Sequence, residues 1–440
     1  MDRLGMAALE AWRTKPGRKP LVVRGVRQCG KTWLLREFGR EKFADQVYLN
    51  FERNAGLARL FEEDLDPARI VRELGILRGQ AIDPAATLII FDEVQTCASA
   101  LTSLKYFAED APEYALIAAG SLLGLAVHGS AGFPVGKVEF LDLYPMSFRE
   151  FLVADGQASL ADYLGTLTPG MTLAPVLAAR AEAALRDYLI VGGMPEAVGA
   201  WLAHHDIAEV EAIQQSILDS YLLDMAKHAP PTLFPRLEAV WRSIPRQLAK
   251  PNDKFIFSQV MAGARAKDLE DALEWLVAAN IALKVPRVLA PGVPLSMYAD
   301  DRYFKLYVAD VGLLRRLAGV DAAVTMQPSV GAEHFRGALA ENYVLTQLVA
   351  AGVRTPYFWR SDNTAEIDFL VQIGPDIIPL EVQAGRATVS RSMAVYKSRY
   401  SPAYTLKLTN KPTVDGHLPL TAAWDLPGYV GRLRGQRLSS

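Results

Sequence analysis

The chain has 440 residues, half of them apolar and 22% charged, with 47 basic and 49 acidic side chains. That length exceeds one hydrophobic core and suggests roughly three domains. The composition excludes a disordered chain, and the near-neutral balance announces no nucleic-acid partner. The only cysteines are Cys29 and Cys97, and the six histidines form no HExxH or Cys/His cluster, so neither a disulfide scaffold nor a zinc site is expected. Charge is less even locally, since nine Lys or Arg stand against two Asp between Val382 and the C-terminus. The start, Met1-Asp2-Arg3-Leu4, has no signal-like apolar region. The uncharged stretch Tyr114–Gly136 is broken by glycines, His128 and Pro134, so a soluble, cytoplasmic protein with no membrane partner is expected.

In chain order, a helical segment around Met6–Trp12 precedes the apolar run Pro20-Leu21-Val22-Val23. Then come Gly25-Val26-Arg27-Gln28-Cys29-Gly30-Lys31-Thr32 and a helix-compatible segment opening at Trp33. This strand, glycine loop and helix follow the phosphate-cradle pattern GxxxxGK[ST]. Glycines let successive backbone N–H groups curl around a polyphosphate, and the helix N-terminus favours negative charge. Lys31 is expected to reach the β/γ oxygens and Thr32 to help hold Mg²⁺, which makes residues 25–33 the ATP-binding segment.

After a short strand at Val47–Phe51 and an amphipathic helix at Pro67–Leu74, Thr87-Leu88-Ile89-Ile90-Phe91 reads as a strand buried on both faces. It ends in Asp92, expected to bind Mg²⁺, and Glu93, expected to polarise the water that attacks the γ-phosphate. A further strand, Tyr114–Ala119, ends at Gly120-Ser121, and Ser121 is placed between the two nucleotide motifs as a γ-phosphate sensor. A last strand, Lys137–Leu143, completes an alternating β/α order that implies a parallel sheet covered on both faces.

From Ser147 to His205 the pattern is helical, broken at Val191-Gly192-Gly193-Met194-Pro195-Glu196. That break reads either as a lid turn bringing Pro195 to the adenine or as a helix stopped by Gly-Gly and restarted by Pro. Residues 206–324 read as helices followed by strands Ile281–Val285 and Phe304–Val308 around a Pro-rich turn, an order that suits a winged helix. DNA binding and a purely structural role are equally open for it. The last segment has a helix from Gly337, then strands Ala365–Val371 and Ile377–Gln383 joined at Gly374-Pro375. Glu341, Asp368 and Glu381 are expected to converge, as a Mg²⁺ or Mn²⁺ site for phosphodiester hydrolysis requires.

With these residues in hand, the N-terminal part resembles the AAA-type ATPases, with Gly25–Thr32 as Walker A and Asp92-Glu93 as Walker B. The whole chain resembles a large family of uncharacterised prokaryotic ATPases with a C-terminal domain of unknown function. Leu143–Phe148, Gly192–Glu196 and Phe304–Leu314 are the stretches that narrow that match. The C-terminal pattern is similar to the PD-(D/E)xK nuclease fold, mapped as Glu341, Asp368, Glu381 and Gln383, with Gln383 where a lysine is usual. The resemblance implies an α/β multidomain chain: an ATP-binding domain at 1–145, a helical lid at 146–205, a winged-helix-like module at 206–328 and a restriction-endonuclease-like domain at 329–440. It also implies a homo-oligomer in which an arginine acts in trans, with Arg149 as the candidate. The function expected is Mg²⁺-dependent ATP hydrolysis coupled to DNA processing. The alternative is a nucleotide-controlled switch or scaffold for protein partners, with an inactive nuclease-like domain.

Overall fold

A computed structural model describes residues 3–121, 123–124, 134–249, 254–323, 333–361, 365–383, 391–410 and 416–439. The chain divides into two units, Met1–Leu143 with Ala278–Asn280, and Tyr144–Val277 with Ile281–Ser440.

The first unit is a five-stranded sheet in the order β2-β3-β4-β1-β5, built from β1 (Leu21–Arg24), β2 (Asp45–Asn50), β3 (Thr87–Asp92), β4 (Ala115–Gly120) and β5 (Glu139–Asp142). Every neighbouring pair is parallel. Strands β3 and β4 are buried along their whole length, which is why their sequences are unbroken apolar runs rather than alternating ones. The edge strand β5 alternates instead and leaves Phe140 and Asp142 outside. Helices α1 (Gly5–Thr14), α2 (Lys31–Lys42), α3 (Pro67–Arg78) and α4 (Ala98–Asp110) accompany the sheet. Phe51, Phe61 and Phe107 all meet Phe91 edge to face, with centroids 5.6 to 6.3 Å apart. Each such pair adds about 1 kcal/mol beyond area burial. The register aligns Arg24 with Gly120 and Asp142, and Asn50 with Asp92. The carboxyl ends of the strands therefore share one edge, where open parallel sheets bind ligands.

The second unit begins with α5 (Phe148–Ala154), whose start is fixed by a reciprocal Ser147–Glu150 capping box. Helices α6 (Ala158–Leu164), α7 (Pro175–Val191), α8 (Pro195–His204), α9 (Ile207–His228) and α10 (Phe234–Leu248) follow. Next come α11 (Phe257–Val260), α12 (Ala266–Ala278), α13 (Val311–Leu317), α14 (Glu333–Ala350), α15 (Arg391–Tyr400) and α16 (Leu426–Ser439). The strands are β6 (Ala282–Val288), β7 (Ala299–Val308), β8 (Tyr357–Arg360), β9 (Glu366–Ile373), β10 (Asp376–Gln383), β11 (Leu406–Thr409) and β12 (His417–Leu418).

The hairpin expected as a wing is present, since β6 and β7 pair antiparallel. It does not stand apart. Strand β6 also pairs parallel with β8, which places it in a seven-stranded sheet ordered β12-β11-β10-β9-β8-β6-β7. Val288 and Leu295 lie in one buried cluster with Trp359, Ile367 and Tyr396. Strands on both sides of the boundary expected after residue 328 thus share one sheet and one core.

Three stretches far apart in sequence meet in this unit. Gly193 accepts from Met146 N–H through its carbonyl (2.6 Å) and donates its N–H to Asp310 Oδ2 (2.6 Å). Tyr188 donates to the Met146 carbonyl (2.6 Å). A side chain at Gly193 would lie 2.1 Å from that same carbonyl oxygen, so only glycine fits. Asp310 also caps α13 by accepting from Leu313 N–H.

Candidate nucleotide site

The loop between β1 and α2 turns through two left-handed residues, Gln28 at φ 65° and Gly30 at φ 93°. Such alternation points backbone N–H groups inward and makes an anion-binding concavity. Gly25 is required by packing, because a Cβ there would lie 2.2 Å from the Leu143 carbonyl oxygen. Lys31 is buried at the start of α2, and its ammonium donates to the carbonyls of Gly25 (2.8 Å) and Val26 (2.9 Å). The cation is thus held across the mouth of its own loop. Arg3 donates to the Cys29 carbonyl (2.9 Å) and braces the loop from α1's side of the chain. Cys29 itself is fully buried, and Trp33 is exposed.

Thr32 and Asp92 come together across the site. The Thr32 hydroxyl donates to Asp92 Oδ2 at 2.8 Å, and Tyr48 donates to the same oxygen at 2.6 Å. Asn50 donates in turn to the Tyr48 hydroxyl at 3.2 Å. Burial and the Asp92 carboxylate push the Tyr48 phenol up to about 12, so it stays a donor. Glu93 follows β3 directly, at a left-handed φ of 52°, with its N–H on Asp92 Oδ1. Gln95 donates to Glu93 Oε2 at 2.6 Å. Ser121 is buried at the end of β4, the strand that lies between β1 and β3. Tyr48 and Gln95 escaped the sequence reading, because neither belongs to a motif and only the register brings them to the acids.

Pro195 opens α8 in the second unit, behind a Gly192 at φ 75°. Arg149, on α5, pairs with Asp162 at 3.0 Å and lies over the Trp424 ring.

The C-terminal acids gather around a buried lysine. Lys305, on β7, sits 2.5 Å from Glu366 and 3.4 Å from Glu341, and Tyr307 donates to Glu341 at 2.8 Å. Burial works against the ammonium's charge, but Glu341, Tyr307, Glu366 and Asp368 outweigh it and hold Lys305 well above its ordinary pKa. Burial and Glu341 push Asp368 well above the usual carboxylate range, and Asp368 accepts from Val382 N–H at 2.7 Å. Gln383 turns aside to donate to Glu381 at 3.2 Å. Among the described residues no group of three or more His, Cys, Asp or Glu could hold a metal ion. Glu341, Glu366 and Asp368 lie around the Lys305 ammonium, and Glu381 accepts from Gln383. A lysine inside the apolar run Phe304-Lys305-Leu306-Tyr307-Val308 was the available signal for it.

Residues 17–152 match the family model described as an AAA domain. The parallel sheet, the loop and its Lys-Thr pair accord with that match, and the first unit is a P-loop ATPase domain of the AAA type. Residues 182–324 and 336–416 match two further models, each described as a domain of unknown function (DUF8612 and DUF4143). Along its length the chain is similar to uncharacterized proteins of Mycobacterium bovis and Mycobacterium tuberculosis, 27% identical over 389 residues, covering 86% of this chain and 73% of each relative. Among solved structures, a Walker-type ATPase of Pyrococcus abyssi aligns at 15% identity and TM-score 0.46, over 72% of this chain and 95% of its own. The Aeropyrum pernix ORC1 protein, solved in complex with DNA, aligns at 13% identity and TM-score 0.29, over 73% and 92%. At TM-scores below 0.5 neither likeness bears on function. Among the described residues no helix is long and apolar enough to cross a membrane.

Proposed function

We propose that this protein binds ATP with Mg²⁺ on residues 25–33 and hydrolyses it. The observation that carries the reading is the Thr32–Asp92 contact of 2.8 Å beside a buried Lys31 at the mouth of the loop. Thr32, Tyr48 and Asp92 present only oxygen donors, the hard ligand set that Mg²⁺ takes. Thr32 and Asp92 would hold the ion, which when bound supplies neutralisation of phosphate charge. Lys31 exchanges its two loop carbonyls for phosphate oxygens. Glu93 takes a proton from water as the water oxygen bonds to the γ-phosphorus. The bond from that phosphorus to the bridging oxygen breaks, and its electron pair leaves on ADP. Ser121, at the end of the intervening strand, contacts the γ-phosphate. Self-association, with Arg149 offered to a neighbouring site, belongs to the same proposal.

A second reading concerns the C-terminal part. Lys305 among Glu341, Glu366 and Asp368 favours a switch or scaffold whose nuclease-like region is a binding surface without hydrolytic metal. The test is the steady-state ATPase rate of the full chain, with and without duplex and single-stranded DNA, at low and moderate salt. Wild type should turn over and Glu93→Gln should retain ATP but stall. Salt-sensitive stimulation by DNA would favour DNA processing over the scaffold, since phosphate contacts weaken steeply with salt. Turnover in Glu93→Gln equal to wild type would remove Glu93 from the chemistry.

A further inference from the structure

Two local penalties and one glycine coincide beside Glu93. Glu93 itself is left-handed at φ 52°, a strained conformation that residues other than glycine rarely adopt. Gln95 lies in the 3₁₀ turn Val94–Thr96 that follows, and its carbonyl oxygen is buried with no partner among the described residues. An orphaned buried acceptor of this kind forfeits its hydration with nothing in return. At the end of β4, Gly120 has no side chain, and a Cβ there would lie 2.0 Å from that Gln95 oxygen. Local rules broken together, with no gain in packing, mark functional positions.

What the arrangement achieves is a fixed amide. A carboxylate can only accept, so the 2.6 Å contact requires the Gln95 Nε2 to face Glu93 Oε2, which sends the Gln95 carbonyl towards Gly120. We propose that Gln95 is a positioning residue for ATP hydrolysis: its amide holds one oxygen of Glu93 so that the other is aimed at the attacking water, and Gly120 is the space that keeps the amide in place. The inference rests on the ATPase reading above and assigns Gln95 no contact with nucleotide. It predicts a loss in turnover without a loss in binding.

The experiment measures kcat and, separately, the Kd for a fluorescent ATP analogue in the full chain, with thermal melting as the check on folding. Gln95→Ala should lower kcat by about 10- to 100-fold, the range for a misplaced catalytic group, with Kd within about twofold. Gly120→Ala should lower kcat comparably, because its methyl displaces the amide, yet add little in the Gln95→Ala background. In the Glu93→Gln background Gln95→Ala should cost nothing further, since Gln95 acts only through Glu93. Wild-type kcat in Gln95→Ala, or an undiminished extra loss in the Glu93→Gln background, overturns the role of Gln95 while leaving the ATPase reading intact. A Gln95→Ala variant that loses nucleotide also overturns it. An absence of hydrolysis by wild type overturns the ATPase reading and this inference with it. Should Gln95→Ala melt early, Gln95→Glu is decisive: it keeps the side-chain length but sets a second carboxylate against Glu93, and unchanged kcat in it counts against the proposal.

Discussion

Asp310 offers the sharpest quantitative test of how the second unit is held together. It is buried, and its carboxylate accepts backbone N–H groups from Gly193, Leu313 and Gly312. Burial pushes the acid up to about 6, and those three donors pull the other way without overcoming it. A folded-state pKa raised above the unfolded value of 3.8 means that the neutral form is the favoured one in the fold. The stabilisation is then fully present below the unfolded value and is lost as pH rises through about 6. The gap corresponds to about 3 kcal/mol overall, of which about 2 kcal/mol falls between about pH 4.5 and 7.5. Asp310→Asn removes the titration while keeping the shape and one acceptor. Chemical denaturation of both proteins across that window should therefore show the stability of wild type, relative to Asp310→Asn, falling by about 2 kcal/mol as pH rises. A flat difference would refute the reasoning, and a difference that grows with pH would show that the three N–H donors, and not burial, decide the charge.

Other substitutions probe the nucleotide site and the C-terminal cluster. Lys31→Ala removes the ammonium at the loop mouth and should weaken ATP binding by about 10- to 100-fold, the worth of one charge-assisted contact; equilibrium binding of a fluorescent analogue measures it. Tyr48→Phe takes one of two hydroxyl donors from Asp92 Oδ2 and should raise the Mg²⁺ concentration for half-maximal hydrolysis by about 10-fold, with kcat at saturating Mg²⁺ little changed. Lys305→Met strands Glu341 and Glu366 in a mostly buried setting and should cost about 3–5 kcal/mol in denaturation experiments, whereas unchanged stability would show that the lysine adds nothing net to these pairs.

The contiguous chemistry was legible in the sequence. Lys31, Thr32, Asp92 and Glu93 lie within two short motifs at strand ends, and parallel-sheet physics alone puts such ends on one edge. Even Ser121's strand falls between the two motif strands, because an apolar run ending in Gly-Ser could be placed without knowing its neighbours. Contacts made by register are another matter. Tyr48 reaches Asp92 only because Asn50 aligns with Asp92, and no spacing in the chain encodes that alignment. Lys305 was visible as an anomaly in an apolar strand, but its partners come from α14 and β9, which sequence places in a separate domain. The Gly192–Glu196 stretch stood out by its glycines, while the reason for Gly193 is the Met146 carbonyl, some 47 positions upstream.

The shared sheet has a practical corollary for anyone who dissects the protein. A fragment that stops at residue 328 carries β6 but not β8, so the β6 backbone at Arg287 and Val288 loses its parallel neighbour and Val288 loses Trp359. What remains is a hairpin with a raw, partly apolar edge, the template on which strands of other molecules add. Insolubility of such a fragment would speak about where it was cut and say nothing about how its helices fold. Fragments meant to report on the C-terminal acids need the chain from Ile281 onward, since Lys305 travels with the hairpin.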